Sequence, residues 1–465
     1  MFDYVTATKR QVLLHSLGLK DLTLGELAKR VGKSQLLAGR DKGAVGKLVQ
    51  TYFGMPFEES EERPDFPTAS MELKVIPVWR RRGPLFRSKE ATSISMIDYK
   101  KLPTEKWESA SVRKKLDSIL FVFYEHSLTR RKQGWRVLGT VDWSPGVDAL
   151  PILKADWLRV RKLVSERRAH ELSEKLSLYL SARRKSSGGK KESLRAQLAG
   201  GPGAKRRAWA LKAAFTSGIV TKALTPKDKL GHLPGIGRHA DLQKTVTTAI
   251  QRLGRFEGFS LQAVADELKL SIPVGKSGHA TVMRRALGQN TGQPAIQELV
   301  EKGIEVHVLR CDEAGRPYEH TSLAPFDWME LARETWDKSD LLERLETFLF
   351  IPLFGTYRKQ PFRELVVGEP FSWRPSKSEL KVIEREWKRF RTEVKNGLAY
   401  KRLTKASATE IIHVRPHATL KSHRSWAPNG LGGKKQVTIC SFWLNRSFLS
   451  ARLLESVSWP PKPRR

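Results

Sequence analysis

Three residues in the first part of the chain have the types and spacing of a hydrolytic metal site. Asp65 is followed, after six intervening residues, by Glu72, and Lys74 lies two positions further on. Because apolar Met71 and Leu73 alternate with these polar residues, the pattern predicts a strand with Glu72 and Lys74 on one face. Asp65 can join them if the segment before this strand forms an adjacent strand.

The chemistry of such a group follows from its charges. Two carboxylates held close together repel each other, and a divalent cation relieves that repulsion. Oxygen ligands with open water positions suit Mg²⁺. A bound Mg²⁺ can contact a phosphate oxygen and acidify an attacking water, while a lysine ammonium orients that water or stabilises the transition state. The bare pattern also arises by chance in highly charged chains, so its context decides its meaning.

The composition favours a polyanionic partner. The 465 residues include 84 Lys and Arg against 49 Asp and Glu, a formal charge of +35, and 40% are hydrophobic. That hydrophobic content supports folded cores, and the charge argues first for nucleic acid. No apolar stretch is long enough to span a membrane, and two cysteines cannot build a disulfide framework or a cysteine zinc site. We expect a cytoplasmic nucleic-acid-binding protein with no membrane partner.

Internal similarity predicts a duplicated architecture. Three pairs of segments recur in the same order, at shifts of 237, 233 and 229 positions. The pairs are 22–28 with 259–265, 70–75 with 303–308, and 112–123 with 341–352. The first of them opens a helical pattern, with Thr23 as its N-cap. Three repeated segments at a nearly constant shift predict two diverged copies of one domain.

Clustered Pro and Gly residues between positions 225 and 241 mark the boundary of these copies. We therefore predict a first domain over residues 1–225, a linker over 226–240 and a second domain over 241–465. Short apolar strands alternate with helical patterns in each copy, which predicts an α/β fold with a mixed-sheet core.

A resemblance to a known family becomes specific at the motif level. The segments that carry it are 42–48 (KGAVGKL), 64–66 (PDF), 71–78 (MELKVIPV), 113–116 (RKKL), 179–185 (YLSARRK) and 209–217 (WALKAAFTS). In this order they resemble the MutH family, which comprises the mismatch-repair nicking endonuclease and the Sau-type restriction enzymes. The similarity covers about the first 220 residues.

The resemblance implies a restriction-endonuclease-like fold of the PD-(D/E)XK type, duplicated as a pseudo-dimer, and Mg²⁺ as cofactor. It assigns the metal and the chemistry to Asp65, Glu72, the Leu73 main-chain carbonyl, Lys74 and Lys115. Gln50 occupies the place of a third acidic residue in the family and is a further candidate ligand without charge.

Candidate DNA contacts follow from the same resemblance and from the basic loops. In the first copy they are Lys42, Gly43, Arg113, Arg183, Lys190, Lys191 and Lys212, and in the second copy Arg415, Trp443 and Arg446. Arg183 is the candidate base-reading arginine. Ala210 stands where MutH has a tyrosine beside the adenine whose methylation it senses, so no methylation response carries over.

The second copy resembles the same fold with an eroded catalytic signature. Glu305 stands where Glu72 does, but His307 replaces the lysine, Arg344 replaces Lys115, and Glu298 falls at the spacing of the aspartate. In Sau-type enzymes this arrangement implies that the second domain binds another copy of the recognition site and acts as an effector.

The sequence therefore predicts a type II restriction endonuclease that cuts double-stranded DNA at GATC or a related site. Its partner is DNA with two recognition sites, one for each domain, bound by a protein that is monomeric in solution and can dimerise on DNA. Two alternatives stay open: a mismatch-repair nickase, and a non-catalytic DNA-binding regulator. The fused second domain argues against the first, and one intact Asp65, Glu72 and Lys74 set argues against the second.

Overall fold

The computed structural model describes residues 2–38, 41, 43–57, 63–80, 85–185, 194–225, 230–237, 240–275, 277–417 and 424–456. The chain forms two compact units, one of Met1–Asp228 with Gly237–Asp241 and one of Lys229–Ile236 with Leu242–Arg465. Lys42, Lys190 and Lys191, three of the predicted DNA contacts, lie outside the described residues. Among the helices that are described, none is both long and apolar enough to cross a membrane.

The first unit contains seven α-helices and seven strands in its described parts. The helices are α1 (Lys9–Leu17), α2 (Leu24–Arg30), α3 (Gln35–Ala38), α4 (Ala44–Tyr52), α5 (Ser111–Leu116), α6 (Ala149–Ser165) and α7 (Ala213–Leu224). The strands are β1 (Glu72–Arg80), β2 (Phe86–Ser88), β3 (Thr92–Met96), β4 (Ile119–Glu125), β5 (Val137–Trp143), β6 (Leu180–Arg184) and β7 (Arg207–Leu211).

A mixed sheet forms the centre of this unit, in the order β2-β1-β4-β5. β1 and β4 run parallel, and the other two pairings are antiparallel. Every residue of β4 is buried, because one face packs under the N-terminal helices and the other lies against α6 and a second sheet, β3-β7-β6. A strand covered on both faces is expected to be a continuous apolar run.

The second unit repeats this plan. Its helices are α8 (Leu242–Gly254), α9 (Leu261–Glu267), α10 (Gly278–Leu287), α11 (Gln297–Glu301), α12 (Trp328–Leu331), α13 (Asp340–Arg344), α14 (Lys377–Lys395) and α15 (Arg446–Ser456). Its strands are β8 (Ile304–Cys311), β9 (Thr321–Pro325), β10 (Thr347–Phe354), β11 (Val366–Val367), β12 (Phe371–Trp373), β13 (Ile412–Pro416), β14 (Arg424–Pro428), β15 (Lys434–Thr438) and β16 (Cys440–Leu444).

The strand register supports the duplication inferred from the repeated sequence segments. β8 and β10 pair in parallel as β1 and β4 do, and Glu305 lies opposite Phe348 as Glu72 lies opposite Ile119. A three-stranded sheet, β13-β16-β9, corresponds to β6-β7-β3. The predicted α/β class with mixed sheets is therefore confirmed in each unit.

The predicted helix start at Thr23 is also confirmed. The Thr23 hydroxyl accepts a hydrogen bond from the Glu26 amide, and the Glu26 carboxylate reaches back to the Thr23 amide, which is a capping box. Ser260 caps α9 at the corresponding place, by accepting from the Ala263 amide. Both helices begin where a hydroxyl satisfies an amide that the helix itself leaves unpaired.

Candidate active site

Two residues of the predicted set, Glu72 and Lys74, lie at the start of β1. Glu72 is fully buried, and its Oε1 lies 2.7 Å from the Lys74 Nζ. Since side chains alternate along a strand, both point to the same face, while Leu73 between them packs among the N-terminal helices. The prediction that Glu72 and Lys74 share one face is confirmed.

Asp65 joins Glu72 and Lys74 through a turn. It lies just before a tight turn closed by an antiparallel bridge between Phe66 and Met71, and not on an adjacent strand, which was the condition stated from the sequence. Asp65 Oδ2 accepts a hydrogen bond of 2.8 Å from the Leu73 amide. A chain that folds straight back on β1 needs no second strand to bring this carboxylate beside Glu72.

Lys115 comes to the site through the parallel pairing of β1 with β4. Glu72 lies opposite Ile119, so the end of α5 just before β4 meets the start of β1. Lys115 is only 1% exposed, and its Nζ lies 3.3 Å from Glu72 Oε1. Arg113, a predicted DNA contact two residues earlier on α5, pairs with Asp117 and lies over the Trp107 ring.

The electrostatics of the group fit a cation. Burial and the nearby Glu72 carboxylate raise the pKa of Asp65, and Lys74, the Leu73 amide and Lys115 act in the opposite direction. Glu72 Oε2 is buried without a hydrogen-bond partner, although Oε1 contacts two lysines. A buried carboxylate oxygen without a hydrogen-bond partner, next to a second carboxylate, is an environment that a hard divalent ion would stabilise.

The ligand set is small. Among the described residues, no group of three or more His, Cys, Asp or Glu side chains is placed to hold a metal ion. An ion at this site would therefore rely on Asp65, Glu72, main-chain oxygen and water, which is a common arrangement for Mg²⁺. Gln50 is half-buried in α4, a helix that contacts β1, and Gly43 immediately precedes that helix, its amide bonded to Asp41.

The second unit does not reproduce this group. His307 Nε2 lies 3.5 Å from Glu305 Oε2, and Arg344 forms a 2.5 Å ion pair with Asp340 on its own helix. Glu298 has the spacing of Asp65 but not its contact, because it accepts hydrogen bonds from the His232 ring and the Leu233 amide. Spacing alone was misleading for Glu298.

The predicted base-reading residue of the first unit is held inside the protein. Arg183 on β6 is 7% exposed; its guanidinium donates to the Ala91 carbonyl and lies 3.7 Å from the Glu90 carboxylate. Lys212, at the start of α7, is also buried and donates to the Ser177 carbonyl. Both would have to exchange these contacts to bind DNA.

The predicted contacts of the second unit are more open. Arg415 is exposed on β13, and its guanidinium lies 5.8 Å from the centre of the Trp443 ring on β16. Arg446 is exposed at the start of α15, where its amide donates to His320 Nδ1. Burial, with His320 and Arg415 nearby, lowers the pKa of His413 to about 4, so this ring beneath Arg415 is neutral at pH 7.

One feature common to both units was missed in the sequence. Asp156 is buried on α6 and accepts hydrogen bonds from the amides of Leu178, Tyr179 and Leu180, at the start of β6. Glu386 on α14 accepts from the amides of Glu410, Ile411 and Ile412, at the start of β13. In each unit a buried carboxylate thus holds the strand that carries the candidate DNA-reading arginine.

A sequence signal for this feature does exist. In each unit an acidic residue directly precedes a tryptophan, at Asp156-Trp157 and at Glu386-Trp387. The two pairs are 230 positions apart, close to the shift between the other repeated segments. Each tryptophan is buried against a second one, Trp107 in the first unit and Trp336 in the second, with ring centres 5.7 and 5.6 Å apart.

Asp156→Asn should loosen the start of β6. Replacing one carboxylate oxygen that accepts from these three amides is expected to cost about 1–3 kcal/mol. Hydrogen exchange measured on peptides covering residues 178–180 should become faster. Arg159→Ala is the matched control, because Arg159 pairs with Asp156 from an exposed position and should change stability by less than about 1 kcal/mol. Unchanged exchange in Asp156→Asn would contradict this role.

Comparison with known proteins agrees with the motif resemblance. The family model for the DNA mismatch repair enzyme MutH matches twice, over residues 53–156 and again over 287–386. The first match contains Asp65, Glu72, Lys74 and Lys115, and the second contains their eroded counterparts. The similarity to the MutH and Sau-type family predicted from the sequence is confirmed, with one MutH-like region in each unit.

Individual relatives differ in how much of this chain they match. The type II restriction enzyme Sau3AI of Staphylococcus aureus is 24% identical, over 91% of this chain and 96% of that protein. The mismatch repair protein MutH of Actinobacillus pleuropneumoniae is 28% identical over 43% of this chain and 88% of its own length. MutH of Shewanella baltica is 26% identical over 45% and 93%. The restriction enzyme thus aligns with nearly the whole chain, and the repair proteins with less than half.

Proposed function

We propose that this protein is a type II restriction endonuclease that hydrolyses both strands of double-stranded DNA at GATC or a related short site. The observation that carries the proposal is the Asp65, Glu72, Lys74 and Lys115 group in a chain similar to a restriction enzyme over nearly its full length. The fold would be the PD-(D/E)XK type, with the catalytic domain in residues 1–225. A bacterial cytoplasmic location remains a prediction.

Mg²⁺ is the proposed cofactor. When bound, it would supply positive charge at the scissile phosphate and lower the pKa of a water molecule. Asp65, Glu72 and the Leu73 carbonyl would hold it, and Gln50 is a further candidate. The fit rests on the buried Glu72 Oε2, which has no hydrogen-bond partner.

The two lysines would have different tasks. Lys74 is partly exposed, so its ammonium can turn from Glu72 towards a water or a phosphate at the surface of the site. Lys115 is almost fully buried, so the contact available to it is with Glu72, whose orientation it would maintain. Lys115 could support the scissile phosphate only if this contact opened. The products would carry 5′-phosphate and 3′-hydroxyl ends.

The second domain, residues 241–465, would bind another recognition site without cutting it. Glu305 and His307 form no group like that of the first unit. Arg415 and Trp443 lie on β13 and β16, which are equivalent to β6 and β7 of the first unit, and Arg446 begins the helix that follows. Occupancy of this domain would favour the cleavage-competent state of the first. The protein would be monomeric in solution and could dimerise on DNA.

Digestion of a sequenced phage DNA in the presence of Mg²⁺, followed by mapping of the ends, tests the proposal directly. Double-strand breaks at one short sequence are expected. Nicked DNA without breaks would favour the mismatch-repair-type nickase, and binding without any strand scission would favour the regulator. Omission of Mg²⁺ should abolish cleavage.

Arg183→Ala is expected to lower discrimination between cognate and random duplexes by about 1–3 kcal/mol, if the residue makes a bidentate guanine contact. Binding of both duplexes measured at one salt concentration checks this. The neighbouring Arg184→Ala removes the same charge from the opposite side of β6 and serves as control. An equal loss of affinity for both duplexes in Arg183→Ala would contradict a base-reading role.

A further inference from the structure

The β14–β15 hairpin of the second unit has two faces of different character. Ala427 and Val437 point inwards and are part of the hydrophobic core. Five of the outward side chains are exposed: Arg424, Trp426, Lys434, Gln436 and Thr438. The sequence motifs assigned to catalysis and base reading include none of these five.

The outward face combines positive charge with an aromatic ring. Trp426 is 40% exposed, and Lys434 Nζ lies 4.7 Å from the centre of its ring. Residues 424–438 contain three basic residues and no Asp or Glu. An exposed tryptophan flanked by cations matches the backbone and sugars of a nucleic acid.

The hairpin is held rigidly. Lys435, directed away from the outward face, donates a hydrogen bond to the Gly397 carbonyl at the end of α14. In the turn, the Asn429 side chain accepts from the amides of Leu431 and Gly433. A surface that is already ordered loses little conformational entropy when it binds.

The hairpin also continues the strands that carry the candidate DNA contacts. Only Ile439 separates β15 from β16, and the His417 amide after β13 donates to the Ile439 carbonyl. Seven residues lead from Gln436, opposite Trp426, to Trp443, a span of at most about 25 Å. That is about seven base-pair steps of duplex DNA.

We propose that the outward face of the β14–β15 hairpin binds the phosphate backbone of duplex DNA beside the site held by the second unit, up to about seven base pairs away. This inference rests on the proposed DNA binding of that unit and extends its contact beyond the recognition sequence. Lys434 and Arg424 bind phosphates, and Trp426 packs against the sugars.

Two adjacent lysines allow a matched test. Lys434 faces outwards and Lys435 inwards, so alanine at either removes one charge from the same strand. The full chain is saturated, without divalent metal, with duplexes centred on GATC that carry flanks of roughly two or twelve base pairs. Reductive methylation with mass spectrometry then reports the protection of each lysine. Lys434 should be protected several-fold by the long flanks only, and Lys435 should not respond to flank length.

Salt dependence gives a second readout. Lys434→Ala should reduce the slope of log K against log salt on the long duplex by about 0.9, the value for one phosphate contact, and Lys435→Ala should leave it unchanged. Equal reactivity of Lys434 with both saturating duplexes, or equal slopes in the two variants, would overturn the inference. If Lys434 is protected but the protein cuts no DNA, the inferred DNA contact of the hairpin stands and the proposed catalysis is rejected.

Discussion

Glu72→Gln is expected to reduce DNA cleavage by roughly 10³-fold, or about 4 kcal/mol of transition-state stabilisation, while specific DNA binding persists. Glutamine keeps the size of the side chain but removes the charge that would hold the cation and that both Lys74 and Lys115 contact. Lys74→Ala should have a similar effect on the rate. The measurement is the single-turnover cleavage rate beside the affinity for cognate DNA without Mg²⁺.

Glutamine is preferable to alanine at this position. A cavity beside Lys115, with its charge buried and unpaired, would destabilise the fold by several kcal/mol and obscure any effect on catalysis. Glu305→Gln changes the equivalent residue of the second unit and should leave cleavage of a one-site substrate intact. Full cleavage activity in Glu72→Gln, or an equal loss of activity in both variants, would contradict the catalytic assignment.

A plasmid with two recognition sites should be cut at least about fivefold faster than a plasmid with one, which corresponds to a coupling free energy of about 1–3 kcal/mol. The physical reason is differential affinity: DNA on the second unit would stabilise the cleavage-competent state more than the inactive one. An added cognate oligonucleotide should rescue the slow plasmid. Arg415→Ala and Trp443→Ala should abolish the rescue and leave slow cleavage measurable.

The control for these variants is Lys388→Ala, which removes an exposed charge that pairs with Glu384 on α14 of the same unit. It should retain the rescue. Equal rates on the two plasmids, with no response to the oligonucleotide, would mean that the second unit has only a structural role. Loss of rescue in Lys388→Ala would mean that general charge, and not the Arg415 surface, carries the effect.

Local patterns in the sequence predicted the parts of this protein that depend on local physics. Alternation along one strand placed Glu72 and Lys74 on a shared face, and the hydroxyl before an apolar helical pattern marked the start of α2 at Thr23. The recurrence of such patterns at a nearly constant shift predicted two related copies, and the same strand register appears in both units.

Contacts between distant segments could not be obtained in this way. Lys115, and not Arg113, meets Glu72 because the parallel register of β1 and β4 brings Ile119 opposite Glu72, and a register is set by packing across the whole sheet. Glu298 has the right spacing but accepts from Leu233, because its helix faces another segment. Sequence distance does not specify direction in space.

Tertiary packing also decided which of the charged residues are buried. Arg183 looks in sequence like any arginine that could reach a base, yet the fold buries it. Asp156 holds the start of β6 because α6 packs against the three amides that donate to this carboxylate. A charged residue is buried only where tertiary packing supplies partners for it. The residue types thus determined which chemistry this chain can perform, and long-range packing determined which of those residues meet.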